Sequence, residues 1–538
     1  MLKVTCLGAT QTVTGSNFLL RTDSGKKYLV DCGLFQGPKK IERRNWSDWD
    51  FDPAGIDALL LTHAHIDHSG RIPKLVKDGF RGRILTTHPT AELCRIMLLD
   101  SAHIQEMQAE WESKKRKRQG LAPVDPLYTQ EDAEKVMEYI HPVQRDEMIE
   151  LEPDLQVRFR NAGHILGSSI VELWTRDQDE EMKVIFSGDL GQEDQLIVQD
   201  PHQILNADHL FVESTYGDRN HRSFDQSKEE LLQAIMYSAR AGEKVLIPAF
   251  AVERTQEILY ILGEFHRQGR LPDIPVFLDS PLAIKATEIF RQNPRDYDQD
   301  ARALVSRGVD PFDLPDLTFT SSTQESMDLN ARQGPAIIIA GNGMCTAGRI
   351  VHHLKHNLWR QGCSVVIVGF QVAGSTGRML VDGAKKVKVL GENISVRAKV
   401  FTIGGFSAHA DQSGLLTWIG HFRNHPKVYL VHGEERASTA LAQAIRSRIG
   451  FEVHIPQWKE SLLLKPRQEV EEVFAKETGE ADFAAATYNS VIDVERLIKE
   501  LKKKIQDPEW AKNLDEEDLD RLQSWYQDLQ TMLGEKDA

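Results

Sequence analysis

Short runs of apolar residues, broken at regular intervals by glycine, predict that the first two hundred residues are built from strands. Lys3-Val4-Thr5-Cys6-Leu7, Asn17-Phe18-Leu19-Leu20 and Lys27-Tyr28-Leu29-Val30 read as strands, with Gly8, Gly15, Gly25 and Gly33 as the turns between them. Ala58-Leu59-Leu60-Leu61 is apolar without interruption, the pattern of a strand buried on both faces. Residues 91–112 and 130–140 predict helices, and Leu155-Gln156-Val157-Arg158-Phe159 another strand. Between residues 218 and 396 the alternation starts afresh. Lys244–Phe250, Ile274–Asp279, Ala336–Ala340 and Ser364–Val368 predict buried parallel strands with crossover helices, hence a second α/β unit. Residues 451–456 are expected to complete the sheet of the first domain, and residues 491–505 and 515–533 predict two closing helices around Pro508, with Trp510, Trp525 and Tyr526 as apolar anchors.

Composition narrows this picture in three ways. No apolar stretch in the 538 residues approaches the length that crosses a bilayer, and Met1-Leu2-Lys3-Val4 opens directly into strand alternation, so neither a membrane partner nor export is expected. The five cysteines are scattered and never form a Cys-x-x-Cys pair, which argues against thiolate zinc and disulfides and for a reducing cytoplasm. The net charge of −15 argues at first against a polyanionic partner. Residues 466–538 hold ten Lys or Arg and nineteen Asp or Glu, however, a balance of −9 that leaves only −6 for the other 465 residues. A locally basic groove is compatible with that body. The acidic end is expected to serve packing or self-association, a homodimer included.

The chemistry gathers where apolar runs stop. Ala58–Leu61 leads into Thr62-His63-Ala64-His65-Ile66-Asp67-His68, at the carboxyl end of a strand, where open α/β sheets place ligands. In extended chain His63 and His65 project to one side, while Asp67 and His68, past the turn, face a second point. Four ligand groups in two pairs suit two adjacent metals. Asp31 ends the third strand and reads equally as a turn residue or as the acceptor that fixes a ligating histidine. His164 stands between Gly163 and Gly167, and Asp189 ends Lys183–Phe186 with two oxygens that can bridge metals. Nitrogen and oxygen donors without thiolate favour zinc, with manganese able to take the same set.

The order Asp31, His63/His65/Asp67/His68, His164, Asp189 resembles the metallo-β-lactamase superfamily. Further on, Glu213 at the end of Leu210–Val212, the long second unit, Ser407-Ala408-His409-Ala410-Asp411 and Val431-His432-Gly433-Glu434 narrow the resemblance to the β-CASP nucleases. Within them, it is similar to the bacterial and archaeal homologues of the cleavage and polyadenylation factor endonuclease subunit.

The resemblance implies an α/β fold, an αββα sandwich of residues 1–213 and 397–465 interrupted by a β-CASP domain at 214–396, with a helical extension at 466–538. It implies two zinc ions, one on His63, His65, His164 and Asp189, the other on Asp67, His68, Asp189 and His432. His409 would protonate the leaving oxygen, with Glu213 orienting it and Asp67 at the reacting centre. His432 is typically missing from DNA-specific members, which tilts the substrate to single-stranded RNA. The expected activity is endonucleolytic hydrolysis by a hydroxide that two metals activate, leaving 5′-phosphate and 3′-hydroxyl ends, with 5′-to-3′ exonucleolysis as the alternative.

Other features are open in the sequence. The glycine-rich turns with Gly343 and Arg349, and with Ser375, Thr376 and Arg378, suit phosphates but read as well as plain strand-to-helix turns; relatives usually carry serine near Gly341 and Asn342. His352, His353 and His356 are expected at a helix surface. Lys114-Lys115-Arg116-Lys117-Arg118 could meet a phosphate backbone, although such runs are more often solvated helix ends. A small-molecule hydrolase is disfavoured because the insert would leave a long slot, and a non-catalytic scaffold because every ligand stands.

Overall fold

Two seven-stranded sheets face each other because each offers one apolar face that only the other can cover. The first runs Ser461–Leu464, Leu2–Cys6, Phe18–Thr22, Lys27–Val30, Ala58–Leu60, Arg83–Thr87, Ile140–Val143. The second runs Val453–His454, Lys427–Val431, His209–Glu213, Glu180–Phe186, Ser169–Asp177, Leu155–Asn161, Ile149–Glu152. Val4, Leu20, Val30 and Leu60 from one sheet and Phe159, Val171, Phe186, Phe211 and Tyr429 from the other form the core between them. The alternate residues Leu19, Leu29, Leu59 and Ile84 turn outwards and pack with helix residues such as Leu75, Leu93 and Leu98. The computed structural model describes residues 2–177, 180–369, 371–372 and 374–467. Residues up to 446 and 451–467 form one unit; 447–450 belong to a second whose remainder, 474–538, lies outside the described residues, as do the two expected closing helices.

The inserted sheet is parallel throughout, in the order Leu317–Phe319, Val276–Leu278, Ala336–Ala340, Lys244–Pro248, Ser364–Ile367, Lys399–Thr402. The expected boundary after residue 396 falls too early, since Lys399–Thr402 pairs with Ser364–Ile367 in this sheet. A second departure is the edge strand Ser461–Leu464, which pairs with Leu2–Cys6 and which no sequence signal announced. The expected 130–140 helix is likewise shorter: it ends at Lys135, and Ile140 already begins a strand, paired with Arg83–Thr87. A single apolar cluster continues from the helix side of the first sheet, through Leu61, Ile165 and Leu166, to Val252, Ile258 and Ile337 of the insert. The two lobes therefore share a core.

No helix among the described residues is long and apolar enough to cross a membrane. All five cysteines are free and buried. The cationic run closes the helix His88–Lys117, with Lys114 paired to Glu110 and Lys115 to Glu112. At 1.5 Å per residue that helix is about 45 Å long, so the run stands far from the strand ends where its first turn begins.

Candidate metal centre

Strand ends place the histidines. The Ala58–Leu60 strand runs out at Thr62-His63, and the short helix Ile66–Ser69 then turns Asp67 and His68 back towards the same space. His164 comes from the turn after Leu155–Asn161, Asp189 from the end of Glu180–Phe186, and His432 from the end of Lys427–Val431, all in the second sheet. His63, His65, His164 and Asp189 converge as one group, and Asp67, His68 and His432 as another.

Hydrogen bonds on the outer nitrogens fix which way these rings face. Asp31 Oδ2 accepts from His68 Nδ1 at 2.7 Å and from the Ser16 hydroxyl at 3.0 Å, while Oδ1 accepts from the Thr62 amide and hydroxyl, each at 2.9 Å. The Thr62 hydroxyl, having given its proton to Asp31, accepts from His63 Nδ1 at 3.1 Å. The Ala408 carbonyl accepts from His164 Nδ1 at 3.2 Å. Because a carbonyl and a carboxylate can only accept, the protons sit on Nδ1 and the Nε2 lone pairs point inwards. Asp31 holds this position at φ 58°, a left-handed conformation that non-glycine residues adopt only when surroundings hold them there.

The inner atoms stand close to one another. His63 Nε2 lies 3.1 Å from His65 Nδ1, which lies 3.2 Å from His164 Nε2. Asp189 Oδ2 is 3.6 Å from both Nε2 atoms of His63 and His164. Its other oxygen, Oδ1, is 3.3 Å from His68 Nε2 and 3.5 Å from His432 Nδ1, and Asp67 Oδ2 is 3.3 Å from His432 Nε2. Ligands at 2.0–2.1 Å from a tetrahedral zinc stand about 3.3 Å apart, which is the spacing seen. The buried atoms His68 Nε2 and Asp189 Oδ1 have no hydrogen-bond partner, as metal-facing atoms should not. The residues present thus fit divalent metal, with Asp189 oxygens near both groups.

Electrostatics agree with that fit in the first group, while in the second burial opposes charge on His68 but Asp189 and Asp31 raise it well above the usual imidazole range. Burial pushes His63 and His164 well below the usual imidazole range and His65 to about 4, so all three are neutral and able to ligate. Burial opposes ionisation of Asp67 and Asp189, but the hydrogen bond from His432 outweighs it for Asp67, held at about 2, and the charges of His432 and His68 do so for Asp189.

Beside this cluster stands a pair poised for proton transfer. Glu213, fully buried at the end of His209–Glu213, accepts from the Leu190 amide at 2.7 Å and from His409 Nδ1 at 3.0 Å. Burial disfavours the charged imidazole, yet Glu213 and the neighbouring aspartates raise His409 to about 9. His409 Nε2 is therefore the nitrogen left to present a proton. Its backbone is pinned by His221 Nε2, which donates to the His409 carbonyl at 3.0 Å. His221, Thr62, Ser16 and Thr215, whose hydroxyl lies 3.1 Å from His432 Nδ1, are positioning groups that sequence reasoning missed; only Thr62, adjacent to His63 at a strand end, offered a signal.

Three family descriptions match along the chain: the metallo-beta-lactamase superfamily at residues 11–88, the Beta-Casp domain at 255–380, and the Zn-dependent metallo-hydrolase RNA specificity domain at 393–456. Ribonuclease TTHA0252 of Thermus thermophilus is 38% identical over 461 residues, 86% of this chain and 100% of that protein. The chain belongs to the β-CASP ribonuclease family. Transcription termination factor FttA of Thermococcus kodakarensis is 30% identical over 482 residues, 86% of this chain and 72% of its own length. That of Methanosarcina mazei is 29% identical over 467 residues, covering 84% and 70%. As a β-CASP protein the chain is a metal-dependent hydrolase with the α/β fold expected.

The glycine turns of the β-CASP domain come together, although not as free phosphate clamps. Gly377 N donates to Met344 O at 3.1 Å, and Gln371 Nε2 to Gly343 O at 2.9 Å. Arg349, expected as a phosphate contact, spends its guanidinium on Asp279 at 2.7 Å and on the carbonyls of Thr320 and Ser321. Ser375 caps the helix Thr376–Val381 through the Arg378 amide, and Arg378 pairs with Asp382. His353 corrects another expectation: it is buried, with Nε2 2.6 Å from Asp279 Oδ2 and Nδ1 3.0 Å from Asn330 Oδ1. Asp279, at the end of a buried strand, needed partners that a helix 74 residues later supplies.

Proposed function

We propose that the chain is a zinc-dependent endoribonuclease that hydrolyses phosphodiester bonds of single-stranded RNA to 5′-phosphate and 3′-hydroxyl ends. The observation that carries this reading is the arrangement of two ligand groups, Asp189 belonging to the first and lying 3.3 Å from His68 of the second, with the His409–Glu213 pair at their edge. Divalent ions bound by these residues would supply a water acidic enough to ionise near neutrality and would neutralise charge on the phosphate. His409 presents its Nε2 proton to the departing 3′ oxygen, while Glu213 fixes the ring through Nδ1 and sustains its charge. Asp67 carries a carboxylate that stays ionised beside the reacting centre. A matching description names RNA specificity, and a relative is named a ribonuclease; both support RNA over a small ester. The zinc-loaded protein is expected to linearise a circular RNA without free ends and to leave a circular single-stranded DNA intact. Cleavage of linear RNA alone, starting from the 5′ end, would instead assign 5′-to-3′ exonucleolysis.

A further inference from the structure

Phe250 is the exposed aromatic residue at the mouth of the inserted sheet. The chain leaves Lys244–Pro248 in one direction and Ala336–Ala340 in the other, so the loops after these two adjacent strands border the crevice where parallel α/β sheets receive ligands. Phe250 lies in the first loop and Gly343 in the second. Gly343 has a physical reason to be glycine: a Cβ there would stand 3.0 Å from Cδ2 and Cε2 of the Phe250 ring. The ring thus rests on bare backbone, yet Phe250 remains 42% exposed although its neighbour Ala249 is buried.

Both supports are fixed. The Phe250 carbonyl accepts from the Thr255 hydroxyl at 2.6 Å, and the Gly343 carbonyl accepts from Gln371 Nε2 at 2.9 Å. The same loop reaches the metal lobe. Three residues after Phe250, Glu253 accepts from the Leu166 amide at 3.2 Å, two residues past His164. A rigid ring is therefore held open on the segment that ties the β-CASP domain to a ligand-bearing turn.

Resting on the reading of the chain as a ribonuclease, we propose that Phe250, backed by Gly343, is a stacking subsite for one nucleobase close to the scissile phosphate. A phenyl face exposed in a crevice suits any base, because every base has a π-face, and gives affinity without sequence choice. The site adds no step to hydrolysis. It lowers KM by placing the strand.

The test combines F250A and F250W with RNA oligonucleotides of about eight nucleotides that carry a single abasic position, moved stepwise past the cleavage site. In the zinc-loaded wild-type protein, one abasic position within about two nucleotides of the cut is expected to raise KM roughly tenfold, with kcat little changed. F250A is expected to raise KM on intact RNA by a similar factor and to become indifferent to that one abasic position, whereas F250W restores both KM and the sensitivity. Abasic and F250A effects that multiply as independent losses, or an F250A KM equal to wild type, would overturn the subsite. A wild-type protein that binds zinc and cleaves no RNA would overturn the ribonuclease reading and the subsite with it.

Discussion

Asp31 shows how one carboxylate far from any substrate can govern a metal site. Its four short hydrogen bonds hold Thr62 and His68, and through the Thr62 hydroxyl it sets His63 as well. Asp31→Asn keeps the shape but turns one oxygen into a donor, which faces either the Thr62 amide or His68 Nδ1. Removal of such an outer partner typically costs 10–100-fold, and about that loss in zinc affinity is expected by competition with a chromogenic chelator. The Glu213–His409 pair gives a prediction about pH. With the imidazole raised to about 9, its charged form, and the proton it donates, persists up to that pH and is lost above it. Glu213→Gln removes the anion that favours the charged ring, so the alkaline limb of the kcat profile should move to lower pH. An unmoved limb would assign it to another group. Histidine spacing and strand-end carboxylates singled out His63, His68 and, as one of two readings, Asp31, while the roles of Glu213 and His409 came from the family resemblance. His221 was not legible in the sequence, because a ring that acts through a neighbour's backbone leaves no pattern of its own, and Thr62 was marked only by its place beside His63 at a strand end.

At the level of elements, strand ends carried the reading and lone helices did not. Ala58–Leu60, Glu180–Phe186, His209–Glu213 and Lys427–Val431 are apolar runs that stop at a ligand or acid, and all four were visible as such. Ser461–Leu464 is a half-exposed edge strand whose pairing with the first strand depends on chain 450 residues away, and no local pattern encodes that. His353 failed for a related reason, since it was expected at a helix surface while the demand for a buried histidine came from Asp279. Burial opposes charge on Asp279, but hydrogen bonds led by His353 hold it at about 2. That stabilisation is present above the ordinary aspartate range and is lost as pH falls towards 2. His353→Ala leaves a buried carboxylate short of a partner and is expected to cost about 3 kcal/mol of stability, read by denaturant unfolding near pH 7. Activity at low temperature should survive, because the change lies in the inserted sheet rather than among the ligands.

The whole molecule brings together candidate ligands from residue 63 to residue 432 with an entire domain between Glu213 and His409. Folding must therefore complete before the site exists, and bound metal should in turn hold the folded chain. A ligand at a thousand times its Kd contributes about 4 kcal/mol to the native state, so chelation is expected to lower the thermal midpoint by several degrees and zinc to restore it. The most direct check is RNA cleavage by the metal-stripped chain as zinc is added in known equivalents. No cleavage without metal and a rise to a plateau at two equivalents per chain are expected. Full activity in the stripped protein, or a plateau at one equivalent, would contradict the paired centre built around Asp189.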